Sequence, residues 1–574
     1  MTTGNPLKLI LLFSLPVLFG NLFQQFYNMV DTIIVGQFLG EDALAAVGAT
    51  GSIMFLVLGF ASGLAQGFGV MVSQAFGAKD ESRLKHIVAL SFLLTIIISV
   101  VLTALTVTTS RELLIFMNTP DNILDMADSY IRVIFWGIIT SMMYNVVSGI
   151  LRGVGDSKTP LYFLLFSSAL NIVLDLFCIV TLKLNVAGAA YATVISQGIS
   201  AVLCLIYMYR KFTILRTRKS DYYIDRVTTA QMMGLGIPMA LNYSLIAVGS
   251  MILQSAVNVF GSSAVAAFTA ASKVEQISTQ PMPALGTTMS TYCGQNLGAG
   301  KYDRIFDGMK KAFGIALGTV AIAAFICTVF GRSIVSLFLS EPTEAIYSYA
   351  TQYLNTISCF FFFLALIYLY RTSLQGLGKG IMPMVSGIFE MICRVGVVWL
   401  LLNPYGYWSV RLASPVAWIG AGVPLMISYL VWKNRKKKQL HSQAQIAVSG
   451  IHIPQRFRLT AVQVGISADI LHTDIRGCLF DLVIGFCRIF LPQLHACLIP
   501  LRAEFIPHDR QQRQTEASAH EHKADQHRPE IVFPAARAGG KKEHLAAQQD
   551  QPCRRGDLQR QLPVKARHKI GKQK

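Results

Sequence analysis

Twelve apolar runs, each about 20 residues or longer, occupy the first 432 residues of the chain. A bilayer core needs roughly 20 mostly apolar residues per helix. Backbone polar groups inside it must be satisfied within the segment itself. The pattern predicts an all-α membrane protein. Its first six runs are Leu9–Val35, Ala43–Gln74, Ile87–Val107, Tyr130–Leu151, Leu161–Leu182 and Ala187–Tyr209. The second six are Met232–Phe260, Ala264–Leu297, Ala312–Phe330, Ala350–Leu374, Met382–Leu402 and Leu412–Trp432. The second and eighth runs are long and rich in glycine, which predicts tilt or a break. The run after "MTTGNPLK" is too long for a signal-peptide core and lacks a cleavage site, so it reads as a retained first helix.

Only 14% of the residues are charged, against about 25% in a soluble chain. At or after Lys433 lie 25 of the 50 Lys and Arg and 12 of the 31 Asp and Glu, so this end holds +13 of the +19 net charge. The basic balance therefore gives no reason to expect nucleic-acid binding by the apolar part. Residues 441–574 carry no sustained period and are rich in Gln, His and Arg. They read as a basic, disordered tail or as translation of a wrong frame. The ten Cys include no CxxC pair and read as small core residues rather than a disulfide frame.

Cations cluster after alternate runs: Lys79, Arg83 and Lys85, then Arg152 and Lys158, then Arg210 to Arg226, Lys301 to Lys311, and "KNRKKK". The positive-inside rule places these loops and the N-terminus in the cytoplasm of a multi-pass cell-membrane protein. The two halves also resemble each other. "SQAFGAKDESRL" aligns with "GQNLGAGKYDRI", "LRGVGDSKTP" with "LQGLGKGIMP", and "FLGEDALAA" with "VFGSSAVAA", all at offsets of 221 to 223 residues. A constant offset over six spans predicts a parallel repeat of two six-helix bundles around a central cavity. The expected organisation is a bundle over 1–209, a cytoplasmic linker over 210–230, a second bundle over 231–440 and the tail over 441–574.

Ionisable residues within apolar spans are costly and mark function by default. Asp31 lies near the end of span 1; Asn171 and Asp175 share a face of span 5, four residues apart; Thr193 adds a hydroxyl on span 6. This oxygen-rich set suits Na⁺ or a proton. In the second half, Leu253 and Val398 occupy the positions matching Asp31 and Asp175. Glu390 and Arg394, four apart, read as a structural pair, and Glu275 as an open second cation site. "LRGVGDSKTP" lacks the Gly before Lys that a phosphate loop needs. It reads as a tight turn followed by a helix start. Tyr27, Phe55 and Tyr144, with Glu275, are candidates to line a substrate cavity for flat apolar cations.

"LPVLFGNLFQQFYNMVDTIIVGQFLG", "AAVGATGSI", "GQNLGAG" and "LRGVGDSKTP" resemble the multidrug and toxic compound extrusion (MATE) family over about Asn5 to Lys438. The resemblance implies a twelve-helix antiporter, with no cofactor, that exports organic cations or amphipathic drugs in exchange for Na⁺ or H⁺. It implies an amino-lobe ion site at Asp31, Asn171, Asp175 and Thr193. "GIPMALNYSLIAVG" lacks the helix-7 acid of some branches, so no carboxy-lobe Na⁺ site of that kind is expected. The chain is expected to work as a monomer. The rival within the same superfamily is a flippase for lipid-linked oligosaccharides, which would line its cavity with cations to meet a pyrophosphate. A membrane enzyme is disfavoured by the lack of paired acidic clusters such as DDxxD, and a receptor would not need the internal repeat.

Overall fold

The computed structural model describes residues 1–117, 119–336 and 343–448, and the side chains of these up to Ser442. The tail reading for 441–574 falls almost wholly outside the described residues. The first half contains α1 (Pro6–Leu39), α2 (Glu41–Ala78), α3 (Glu81–Phe116), α4 (Asp121–Trp136), α5 (Ile138–Gly153), α6 (Lys158–Leu176) and α7 (Asn185–Lys211). The second contains α8 (Arg226–Asn258), α9 (Gly261–Thr279), α10 (Pro281–Gly298), α11 (Tyr302–Val329), α12 (Gly331–Val335), α13 (Glu344–Ser358), α14 (Phe361–Gly376), α15 (Ile381–Tyr405) and α16 (Trp408–Val448). No strand occurs among the described residues.

Nine of these elements are single helices long and apolar enough to span, counting α6 together with the π-turn that follows it. Two bent pairs, α4 with α5 at 46° and α13 with α14 at 53°, raise the number to eleven. The bent pairs are the fourth span and its repeat mate, the tenth. The remaining span, the eighth, is α9 with α10. It carries many Ser, Thr and Gln and breaks at Gln280, where Pro281 begins the next helix. The expected break is therefore found in the eighth span, whereas the more glycine-rich α2 runs unbroken for 38 residues.

The repeat is written in the backbone as well as the sequence. Gly40 and Gly261 have φ near +85° and +83°, and Gly155 and Gly378 near +102° and +77°. Both pairs lie in the repeated motifs. The "LRGVGDSKTP" turn is thus structural, as its glycines predict. Asp156 closes it by accepting from the N–H groups of Lys158 and Thr159 at 3.1 and 3.0 Å. Two further pairs use lysine on one side: Lys79 at +57° matches Gly300 at +70°, and Lys183 at +51° matches Gly406 at +53°.

The halves meet chiefly where α2 lies along α8 and α10. A methyl on Gly63 or Gly67 would collide with the backbone of Ala240 or Gly236, so these glycines set the approach of α2 to α8. At the loop end of the interface the contact is reciprocal. Gln74 donates to the carbonyl of Gly376 at 3.0 Å, and Gln295 donates to that of Gly153 at 2.7 Å. The two glutamines are 221 residues apart and the two glycines 223, so each half clasps the other in the same way. Between α7 and α8, the linker is tied to the first half by His86, whose ring stacks on Tyr223 at 4.0 Å and meets the Asp221 carbonyl at 3.0 Å.

Candidate functional site

Helices α1, α4, α6 and α7 bring together the polar side chains of the first bundle. Asn171 and Asp175 sit one turn apart on α6 and are 1% and 0% exposed. Oriented with its nitrogen toward the acid, the Asn171 amide donates to Asp175 Oδ2 at 2.8 Å and accepts from the Thr193 N–H at 3.1 Å. The Tyr27 hydroxyl lies 3.3 Å from Thr193 Oγ1. The carboxyl groups of Asp31 and Asp175 lie within hydrogen-bonding reach of each other. One oxygen of each, Oδ1, is buried and finds no hydrogen-bond partner in the structure. Asp31, Asn171, Asp175 and Thr193, on three separate spans, thus form one cluster.

Two features of this cluster are less visible in the sequence. A π-helical turn, Phe177–Thr181, continues α6 directly after Asp175. Such wide turns are frequent at functional sites. Tyr130 of α4 is buried close to the two acids. Tyr27 belongs to the cluster as well as to a cavity wall; its position one turn before Asp31 is the signal that links it to the acids.

That cavity, of about 280 Å³, opens beside the cluster. Tyr27 and Tyr144 both line it, with Gln24, Asn145 and Gln197 supplying polar groups. Ser141 bonds Gln197 across it, and the Tyr144 hydroxyl donates to the Pro160 carbonyl at 3.0 Å. Phe55 does not line this cavity; it is 46% exposed on α2. Periodicity alone does not tell an aromatic facing a cavity from one on an outer face. A second cavity, of about 220 Å³, lies between the halves and is lined by Gln66 and Arg152 from the first and Tyr243 and Thr291 from the second. Gln66 donates to the Tyr243 hydroxyl at 2.6 Å.

The second bundle has a different chemistry. Glu390 and Arg394 pair at 3.4 Å, but Arg371 of α14 binds Glu390 more closely, at 2.7 Å. The expected pair is therefore a triad across two helices, and α15 alone does not contain it. Arg371 also donates to Asn242 at 3.2 Å. Glu275 accepts from the Tyr353 hydroxyl at 2.9 Å. Glu275, Glu390, Arg371, Arg394 and Lys273 share one cavity of about 380 Å³. Glu275 thus shares its cavity with three cations.

Comparison with known proteins agrees with this architecture. The MatE family model matches residues 16–177 and again 238–400, one stretch in each half. The chain is 30% identical over 432 residues to the "Probable multidrug resistance protein YpnP" of Bacillus subtilis, covering 74% of this chain and 94% of that one. It is 25% identical to the "Probable multidrug resistance protein NorM" of Thermotoga maritima, covering 75% and 91%. Among solved structures, it superimposes with a TM-score of 0.70 and 25% identity on one described as the outward-facing conformation of a multidrug resistance MATE family transporter of the MOP superfamily, covering 76% of this chain and 97% of that one. Two matched halves, close relatives along nearly their whole length and a shared fold lead to one conclusion: this chain is a multi-pass membrane protein of the MatE family.

Proposed function

We propose that the chain is an ion-driven antiporter of the cell membrane that exports organic cations or amphipathic drugs, with Asp31, Asn171, Asp175 and Thr193 as the seat of the coupling ion. The observation that carries this reading is the contact between Asp31 and the fully buried Asp175 among apolar helices. Two carboxylates that close repel strongly in a low dielectric unless a cation lies between them. Each keeps a buried oxygen with no partner, which is the capacity a Na⁺ ion or a proton would use. The hydroxyl oxygens of Thr193 and Tyr27 stand beside them as further hard ligands, while the Asn171 amide orients Asp175. The names of the relatives, which speak of multidrug resistance, support drugs as the cargo.

The mechanism follows as competition. With the seat empty, its negative charge favours a cationic compound in the neighbouring cavity, where Tyr27 and Tyr144 offer aromatic faces. When the ion binds, that charge is neutralised and the compound leaves. The ion drives the change of access only through its different affinity for the two states, and coupling of about 1–3 kcal/mol is typical of linked sites. Both bundles lie in one chain, so a monomer suffices. The positive-inside rule puts the N-terminus in the cytoplasm.

Dye efflux from vesicles under separately imposed Na⁺ and pH gradients tests the reading. One gradient is expected to drive efflux. Asp31→Asn and Asp175→Asn are each expected to abolish it at unchanged protein levels. Undiminished efflux by both variants rejects the assignment.

A further inference from the structure

The charged cavity of the second bundle is not explained by cation coupling. Lys273, Arg371 and Arg394 line it against only two acids, Glu275 and Glu390. Glu390 is shared between both arginines, and Glu275 is taken by Tyr353. The cavity therefore holds one more positive charge than negative. Arg371 and Arg394 are each only 7% exposed, yet their Nε atoms find no hydrogen-bond partner in the structure. A buried cation left short of partners is costly. Gly249 keeps open the space that Arg394 occupies, since a methyl there would press against its Nη1 at 2.9 Å. The lining also includes the apolar side chains of Phe268, Leu364 and Trp418. At about 380 Å³ the space is within the range of ligand sites, roughly 300–1,000 Å³.

We propose that this cavity is a binding site for an amphipathic organic anion, its charged group held by Lys273, Arg371 and Arg394 and its apolar body set against Phe268 and Trp418. The anion completes the charge balance that Glu390 only half supplies, and guanidinium groups suit a carboxylate, sulfonate or phosphate in bidentate geometry. The ligand is either a soluble organic anion or an anionic lipid entering from the bilayer, both of which present one anionic group on an apolar body. The site is separate from the acid cluster of the first bundle and does not depend on ion coupling there.

The test uses the full chain in nanodiscs of phosphatidylcholine, at equilibrium and without any gradient. The probe is dansylglycine, compared with its neutral amide; the dansyl group accepts energy from Trp418. The acid is expected to bind about tenfold more tightly than the amide, as the loss of a charge-assisted hydrogen bond implies. Lys273→Gln and Arg394→Gln are each expected to weaken the acid by about tenfold and to leave the amide unchanged. Lys273 is exposed to the cavity, so its variant is the one whose folding is least at risk. Repeating the titration with phosphatidylglycerol in the disc separates the two sources: competition identifies a lipid, its absence a soluble anion. Equal affinity for acid and amide in the unaltered protein overturns the proposal, as does an unchanged acid affinity in Lys273→Gln.

Discussion

Tyr27 and Glu390 show how much one side chain can be asked to do. The Tyr27 hydroxyl touches Thr193 at 3.3 Å, at the edge of the acid cluster. Tyr27→Phe removes one neutral hydrogen bond, worth about 0.5–1.5 kcal/mol net. Efflux is expected to persist, with the half-saturating concentration of the coupling ion raised about two- to tenfold; an ion titration of dye efflux measures it. Glu390 stands between two arginines at 2.7 and 3.4 Å. Glu390→Gln strands two buried guanidinium groups and is expected to destabilise by about 3–5 kcal/mol. Arg394→Gln leaves the Arg371–Glu390 pair intact and neutral, and its cost is expected to stay near or below about 1 kcal/mol. Thermal unfolding of both variants in one detergent decides: equal losses would contradict the triad as drawn. The sequence marks each of these residues as an ionisable or polar group out of place in an apolar run. It does not show that Arg371 reaches Glu390, because they lie on different helices and no spacing rule connects them.

Helix ends obey local rules, and there the sequence is most legible. The glycines of "LRGVGDSKTP" and "LQGLGKGIMP" predict a turn with left-handed backbone, and Gly155 and Gly378 both adopt it. The i, i+4 spacing of Asn171 and Asp175 likewise predicts a shared face, and the two side chains bond. The bends at Gly137 and Phe360 and the π-turn after Asp175 are not legible, since they answer to neighbouring helices. Gly137, for example, is held where a methyl would strike Val194. The repeat itself yields a prediction. Lys79 ends α2 at φ +57°, where its mate Gly300 sits at +70°. Left-handed backbone costs a non-glycine residue about 1–2 kcal/mol, and glycine's greater unfolded freedom offsets about 0.5–1. Lys79→Gly is therefore expected to stabilise by about 0.5–1 kcal/mol, and Gly300→Lys to destabilise by a similar amount; thermal unfolding checks both. At the start of α8, Asp225 caps the helix by accepting from Thr228 and Val227. Hydrogen bonds from Thr228 first, then Val227, hold its carboxyl below the usual range. A depressed value favours the folded state above the unfolded carboxyl's pKa, near 4, and that contribution fades as pH falls through the lower folded value. Asp225→Ala is thus expected to lower the unfolding temperature at pH 7 and to match the unaltered protein in strong acid.

At the scale of the molecule, the two halves are joined by devices that occur twice. Gln74 and Gln295 each reach across to a backbone carbonyl of the other half, at Gly376 and Gly153. Beside them, a methyl on Gly77 would strike the Gln295 carbonyl and one on Gly298 the Gln74 carbonyl. The reciprocity of this pair of bonds follows from duplication. It also makes this end a latch. If the halves rock to change access, these two hydrogen bonds and the glycine contacts must open together, while the cavity between the halves, with Gln66 and Arg152, joins the solvent on that side. Each hydrogen bond contributes about 0.5–1.5 kcal/mol net, so the pair holds the latch by about 1–3 kcal/mol, a factor of roughly 5 to 150 in population. The double variant Gln74→Ala, Gln295→Ala is expected to raise hydrogen exchange in the last turns of α2 and α10 by a factor in that range. Exchange in α4, which packs near the other end of α2, and in α13, which packs on α9, is expected to hold steady. Gln295→Ala is expected to give the larger part of the effect in free energy, because the Gln295 Oε1 also accepts from the Met1 amino group at 2.6 Å. Unchanged exchange in the double variant would mean that glycine packing alone keeps this end shut, and Gly77→Ala would then be the variant that opens it.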